Sequence, residues 1–228
     1  AGIYAFLNRL LIPFGLHHAV NNIFWFDTVG IGDLKNFWAG LVTGDIGTNG
    51  NEITWSLGMY MSGFFPCMMF GVPGAAAAMI ATAKPEKRKV AFGLVGSAAI
   101  CAFVCGVTEP FEFGFMFLAF PLYVVYALLY GIFTVITYYS GFRAGFSFSA
   151  GFTDLFFSAS LPAANNTWMI IPLGIAAALV FFVVFYFAIK IFGLKTPGRE
   201  VDDSDAAAPA QLANNDFTAI ASGVLAAV

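Results

Sequence analysis

The sequence predicts an all-α integral membrane protein whose transmembrane helices include broken or re-entrant segments. Three observations predict it. Hydrophobic residues make up 60% of the 228-residue chain and charged residues 10%, with a mean hydropathy of +0.83. A soluble domain carries about 25% charged residues. The apolar stretches are long and do not alternate, which selects helices over barrel strands. Third, two carboxylates, Glu109 and Glu112, flank Pro110 inside an apolar run, and residues 90–108 and 113–142 carry no charged side chain.

Residues 3–26 read as a helix interrupted at Pro13. Its apolar run also holds Asn8, Arg9, His17, His18, Asn21 and Asn22. His17 and Asn21 are four apart, as are His18 and Asn22, so two polar stripes lie side by side. Such density on a membrane helix points to a cavity or a protein surface. The plainer alternative is an interfacial amphipathic helix with Arg9 reaching the headgroups. Residues 27–55 read as a loop rich in Gly, Asp, Asn and Thr, and Trp25, Trp38 and Trp55 suit a membrane–water interface.

Residues 56–83 are uncharged and contain Gly63, Pro66, Gly71, Pro73 and Gly74. The stretch from Phe70 to Ala75 reads as a turn, so a re-entrant hairpin fits better than one straight span. Ala75–Ala78 would permit close packing on a neighbour. Lys84, Lys87, Arg88 and Lys89 then form the densest positive cluster, with a second at Lys190, Lys195 and Arg199. Both are cytoplasmic by the positive-inside rule. The runs 90–108, 113–139, 144–163 and 168–189 fill the path between them, some as half-spans.

The charge-poor run holding Glu109 is where chemistry is expected. A carboxylate at bilayer depth costs several kcal/mol unless paired or hydrated. Pro110 removes a donor and disfavours the helical region for Glu109, so the helix should break at the acid. Broken backbone in a membrane survives only inside protein or beside a wet cavity, and transporters build substrate sites that way. The alternative is a polar loop joining two spans. Residues 142–167 are also unusual, since Arg143 and Asp154 bracket a Gly- and Ser-rich stretch and Asn165 and Asn166 follow Pro162. These offer neutral hydrogen bonds to a hydroxyl-rich ligand or make an ordinary outer loop.

No nucleic-acid signal, disulfide framework or metal-ligand spacing stands out. Cys67, Cys101 and Cys105 lie in apolar runs and read as small packing residues. No cofactor is expected. Residues 201–216 are acidic, Ala-rich and read as a flexible linker in water. Residues 217–228 read as the start of a further domain, and the chain as a piece of a longer protein.

Three stretches together carry a family resemblance. Ile12-Pro13-Phe14-Gly15-Leu16-His17-His18, Gly106–Phe113 and Leu194-Lys195-Thr196-Pro197-Gly198-Arg199-Glu200 resemble the enzyme IIC transporters of the bacterial phosphoenolpyruvate-dependent sugar phosphotransferase system, glucose superfamily. The similarity runs in order from Asn8 to Glu200. Met61–Pro66, Ala144–Gly151 and Leu161–Ala164 resemble the N-acetylglucosamine branch. Gly30–Leu34 departs from the His-Gly-Asp-Ile stretch common in the family's first loop.

The resemblance implies that residues 1–200 are the C-terminal, sugar-binding part of an EIIC membrane domain, in the inner membrane of a bacterium. Residues 201–216 become a cytoplasmic linker and 217–228 the start of a truncated EIIB domain. It implies Glu109 as the acid that bonds the sugar 6-hydroxyl and takes its proton, with Arg9 and His17 helping to hold the sugar. Glu112 is a further candidate contact, ranked below Glu109, whose alternative is to pair with a backbone group or a basic residue near the broken helix, and Asn165 is a candidate neutral contact. The resemblance implies as partners a phosphorylated EIIB domain, upstream EIIA and HPr, lipid, and a second copy of the full-length protein. A glucose- or maltose-type permease and an ion-coupled sugar transporter without phosphorylation are the rival readings.

Overall fold

The computed structural model describes residues 1–26 and 31–199 and, among them, is helical with two isolated β-bridges. Helix α1 spans Gly2–Leu10, and a 3₁₀ turn at Ile12–Phe14 leads through Gly15 into α2, His17–Phe24. Gly15 has φ +68°, so the interruption expected at Pro13 is completed by a left-handed glycine. The loop that follows contains a short helix, α3, Asp33–Trp38.

Four helices are long and apolar enough to cross a membrane: α4 (Phe64–Thr82), α5 (Arg88–Cys105), α7 (Phe120–Tyr139) and the Thr167–Phe192 stretch containing α9 (Ile170–Phe192). Between them lie two short pieces, α6 (Glu109–Met116) and α8 (Phe152–Ser158). Eight residues of α6 rise only about 12 Å. The apolar run 113–139 therefore divides at Phe117–Ala119, and the run 144–163 holds no helix long enough to cross a membrane. It is instead an excursion whose ends are tied by Arg143 and Asn165, each N–H donating to the other's carbonyl at 2.8 and 3.0 Å.

The hairpin expected within 56–83 is not formed. α4 is one 19-residue helix whose residues Cys67–Gly71 make a π-turn, with Val72 N–H bonded back to Cys67 O. Such a local widening accommodates a helix defect without ending it. Gly74 is there for close approach: a Cβ on it would lie 2.3 Å from Ala178 O on α9. Likewise a Cβ on Gly174 would meet the Phe70 ring at 2.4 Å. Small residues on both partners let α4 and α9 pack in parallel along their lengths.

α9 shows why a uniformly apolar helix still has two faces. Leu173, Ala177, Phe181, Phe185 and Ile189 are buried against the other helices, whereas Ile171, Ile175, Leu179, Phe187 and Ile191 are exposed. Lipid is as acceptable to the second stripe as protein is to the first. Trp25 is not interfacial but 8% exposed in the core, its Nε1–H donating to Tyr60 O at 3.1 Å. Of the cysteines only Cys67 is buried, Cys101 being half-buried and Cys105 exposed.

The two basic clusters meet at one end. Lys84 N–H donates to Gly198 O at 3.0 Å, and Arg199 Nη1 donates to Thr82 O at 2.9 Å. Leu122, early in α7, shares a crevice there with Phe192 and Leu194. Arg143, beyond the far end of α7, thus lies at the opposite end.

Candidate functional site

The site begins where α5 stops. Gly106 closes that helix with φ +72° and its N–H bonded to Ala102 O at 3.0 Å. A Cβ at Gly106 would sit 2.8 Å from the backbone N atoms of Ala150 and Gly151 and from Ser149 Oγ. Glycine is required there twice, by its dihedral and by the excursion pressed against it. Val107 and Thr108 lead into α6, which starts at Glu109. Pro110 falls in its first turn, where a missing N–H is not needed. The break expected at Glu109 thus lies three residues earlier, at Gly106, and the proline falls in the first turn of the next helix.

Behind α6 lies a buried polar network, of which Arg9 and Asn21 also reach the cavity. Arg9 Nη1 donates to Glu112 Oε1 at 3.0 Å and to Thr108 Oγ1 at 2.8 Å. The guanidinium lies between two rings, 5.2 Å from the centroid of Phe64 and 4.9 Å from that of Tyr130. Tyr126 OH donates to the same Glu112 oxygen at 2.9 Å and meets Tyr130 OH at 3.0 Å. On the other side, Arg9 Nε bonds Asn8, Asn8 bonds Asn21, and Tyr4 OH donates to Asn21 Oδ1 at 2.8 Å. Tyr123 OH donates to Arg9 O. Two buried opposite charges and their hydroxyls are thus paired through Glu112 Oε1, the condition on which charge survives in an apolar interior, while Glu112 Oε2 is buried with no hydrogen-bond partner among the described residues.

In front of this network opens a cavity of about 440 Å³. Arg9, His17, His18 and Asn21 line one side, Gly106, Glu109 and Pro110 a second, and Phe148 and Ser149 a third. Glu109 makes no hydrogen bond or ion pair among the described residues. His17 Nδ1 is buried without a hydrogen-bond partner among the described residues. The third wall is held by Asp154, which accepts from Ser147 Oγ and from the N–H groups of Phe148 and Ser149, all at 3.0 Å. Ser149 Oγ in turn donates to Gly106 O at 2.8 Å, joining the excursion to the helix break.

An uncommitted carboxylate accepts hydroxyl protons and can take one outright. An exposed phenyl face offers apolar contact to a ring. This combination suits an uncharged, hydroxyl-bearing molecule. No cluster of three metal-ligating side chains occurs among the described residues.

The structure brings three of the five expected residues together: Arg9, His17 and Glu109 all line the cavity. Glu112 is behind the wall and fully buried, its Oε1 taken by Arg9 and Tyr126. Asn165 is elsewhere, exposed and paired through its backbone to Arg143 beside a different pocket. Sequence reasoning missed Phe148, Met68 and Trp25 as lining residues, and Asp154 as the holder of the third wall. A signal for the buried network existed in Tyr123, Tyr126 and Tyr130, whose spacing of three and four puts three hydroxyls on one face of a spanning helix.

An all-helical membrane fold whose helices break around a carboxylate-lined cavity belongs with multi-pass transport components. Residues 1–131, more than half of the chain, match the family described as "Phosphotransferase system, EIIC", and the chain belongs to that family of integral inner-membrane proteins. It is similar to the N-acetylglucosamine-specific EIICB component of Bacillus subtilis (strain 168), at 48% identity over 209 residues, 90% of this chain and 43% of that protein. It is similar to the N-acetylglucosamine-specific EIICBA component of Escherichia coli (strain K12), at 44% over 240 residues, 100% of this chain and 35% of that protein. A glucose-specific EIICBA component of Staphylococcus saprophyticus is 43% identical over 204 residues, 87% of this chain and 29% of that protein. The chain thus spans less than half the length of these curated relatives.

Proposed function

We propose that this chain is the sugar-carrying part of a phosphotransferase-system permease that binds N-acetylglucosamine and presents its 6-hydroxyl for phosphorylation. The observation that carries the reading is Glu109, uncommitted in a cavity formed where α5 and α6 break and lined also by His17. In this reading Glu109 accepts the hydroxyl's hydrogen bond and takes its proton as the oxygen bonds to phosphorus. The phosphorus–sulfur bond to a IIB cysteine breaks, and that cysteine leaves as thiolate. His17 and Arg9 hold the sugar, and Glu112 fixes Arg9 rather than touching the ligand. Residues 201–216 are then the cytoplasmic linker and 217–228 the start of an EIIB domain, both outside the described residues. EIIA and HPr supply phosphoryl groups upstream, and the full-length protein works as a homodimer in lipid.

The sugar assignment is supported by the names of the relatives from Bacillus subtilis and Escherichia coli. A glucose-type permease is the second reading, favoured by the glucose-specific relative. Uptake of labelled N-acetylglucosamine by the full-length protein separates the two. Unlabelled N-acetylglucosamine should compete far better than glucose, and the product should be the 6-phosphate. Equal competition by glucose moves the assignment to the glucose branch. Free sugar accumulating without a phosphoryl donor rejects group translocation altogether.

A further inference from the structure

A second pocket lies at the other end of the molecule from the basic clusters. It measures about 270 Å³ and sits between the loop around residues 42–57 and the returning arm of the excursion. Val42, Leu57 and Pro162 give it apolar walls, and Ser56, Arg143 and Asn165 give it polar ones. Arg143 is its anchor. The residue is only 9% exposed, and two of its three guanidinium nitrogens are committed: Nε donates to Ser56 Oγ at 2.8 Å, and Nη1 to Tyr138 O at 3.2 Å and Phe142 O at 2.8 Å. Nη2 makes no hydrogen bond among the described residues, yet it is not one of the sealed, unpartnered atoms. The Tyr138 ring stacks against the guanidinium at 4.8 Å and fixes its plane. Across the pocket, the Asn165 side-chain amide is also without a protein hydrogen bond, while its backbone is locked to Arg143.

We infer that this pocket is an outer subsite for the sugar, in which Arg143 Nη2 and the Asn165 amide bind its hydroxyl or carbonyl oxygens before it reaches the Glu109 cavity. A nearly buried, pre-oriented guanidinium with one nitrogen left over is a donor waiting for an acceptor. The acceptor is neutral. Arg143 is the one cation lining the pocket, and the Asp33 carboxylate lies within its electrostatic reach. An anion would find the positive field already partly offset. Size points the same way, because 270 Å³ is just under the range of about 300–1,000 Å³ typical of drug-sized ligands and suits a single ring. Walls that are apolar on one side and hydrogen-bonding on the other match the two faces of a pyranose. The location is apt as well, because the positive-inside rule puts the end opposite the basic clusters on the outer face, where an arriving solute meets the protein.

The subsite rests on the sugar-permease reading, and the experiment keeps the two apart. Full-length protein is assayed with labelled N-acetylglucosamine in right-side-out and inside-out vesicles, with phosphoryl donors present. Asn165→Ala removes a side chain that makes no hydrogen bond among the described residues. Arg143→Lys keeps the charge but loses the fixed fork. Asn165→Ala should raise KM for sugar supplied from outside about three- to tenfold, as loss of one hydrogen bond does, with kcat unchanged, and Arg143→Lys, which also gives up the bonds to Ser56, Tyr138 and Phe142, should raise it at least as much. KM measured from the inside should stay at the level of the unaltered protein. An outside KM that does not move in Asn165→Ala overturns the subsite, and so does an equal rise on both faces. Unaltered protein that phosphorylates no sugar from either face overturns the permease reading itself.

Discussion

The cavity wall and the network behind it share a helix but follow different rules. Glu109 and Glu112 are three residues apart on α6. One faces a cavity with no protein partner, and the other is fully buried against Arg9, with Tyr126 on the same oxygen. A membrane interior tolerates a bare carboxylate only beside water or ligand, and a buried one only beside a cation. Because Glu112 takes up the Arg9 Nη1 donor, Glu109 keeps its lone pairs for something else. The uncommitted acid is a product of the committed one.

The largest expected effect comes from breaking the buried pair. Glu112→Ala leaves Arg9 charged and unpaired in the core, which costs about 3–5 kcal/mol of stability. Arg9→Met combined with Glu112→Leu should recover most of it, since replacing both partners removes the desolvation penalty. Thermal unfolding of the full-length protein in detergent measures both. A double variant as unstable as the single one would show that the pair is not what the core depends on.

Glu109→Gln should do the reverse, sparing the fold and removing the base. Phosphoryl transfer from phosphorylated IIB is expected to fall about a hundredfold or more, equivalent to about 2.7 kcal/mol in the barrier. Its melting temperature should match that of the unaltered protein. A folded variant transferring at the normal rate would move the base to His17 and dissolve the contrast. Next comes the wall that neither acid belongs to. Asp154→Asn weakens the charge-assisted bonds that fix Phe148 and Ser149, each worth about 1.5–3 kcal/mol when intact. Roughly a tenfold rise in sugar KM, with kcat preserved, is the expected result. An unchanged KM would mean that the third wall does not touch the ligand.

The smallest effect concerns another carboxylate, Asp33, which is buried without an ion pair among the described residues and feels Arg143 only at a distance. Asp33 accepts from the N–H groups of Gly58 at 2.8 Å and Tyr60 at 3.1 Å and from Trp55 Nε1 at 3.4 Å. Burial nevertheless pushes it up to about 6, the three hydrogen bonds opposing that rise. A carboxyl raised on folding stabilises the fold most when protonated in both states. Its contribution is complete below its unfolded value near 3.8 and is lost as pH rises through 6. Lowering pH from 7 to 5 should therefore add about 1 kcal/mol relative to Asp33→Asn. Unfolding curves at the two pH values that shift equally in both proteins would contradict this.

What the sequence disclosed follows from the kind of signal each feature leaves. Spanning helices announce themselves by apolar length, and the helix break by a charge where none is expected. Pro73 and Gly74 misled because proline and glycine serve turns and tight packing alike. Only the position of Ala178, a hundred residues on, tells the two uses apart. Pro110 misled by three residues because it suits the first turn of a helix as well as the point after one. Arg9 and Glu112 were both noticeable, but their pairing joins positions 103 apart and has no local trace. Asn165 carried the right chemistry for a ligand contact. Which of the two pockets it joins was set by the bridge to Arg143.

The fold of the chain at 196–199 has a mechanical consequence. After α9 ends at Phe192, the backbone doubles back and is fastened to the corner between α4 and α5 by Lys84 N–H on Gly198 O and Arg199 on Thr82 O. Gly198 fits so tightly that a Cβ would come within 2.8 Å of Ala83 and 2.9 Å of Ala91. Tension on residue 200 is therefore borne in shear by this corner before it can unwind the last turn of α9. A segment joined after Arg199 is thereby held to the α4–α5 corner and not to the end of α9 alone.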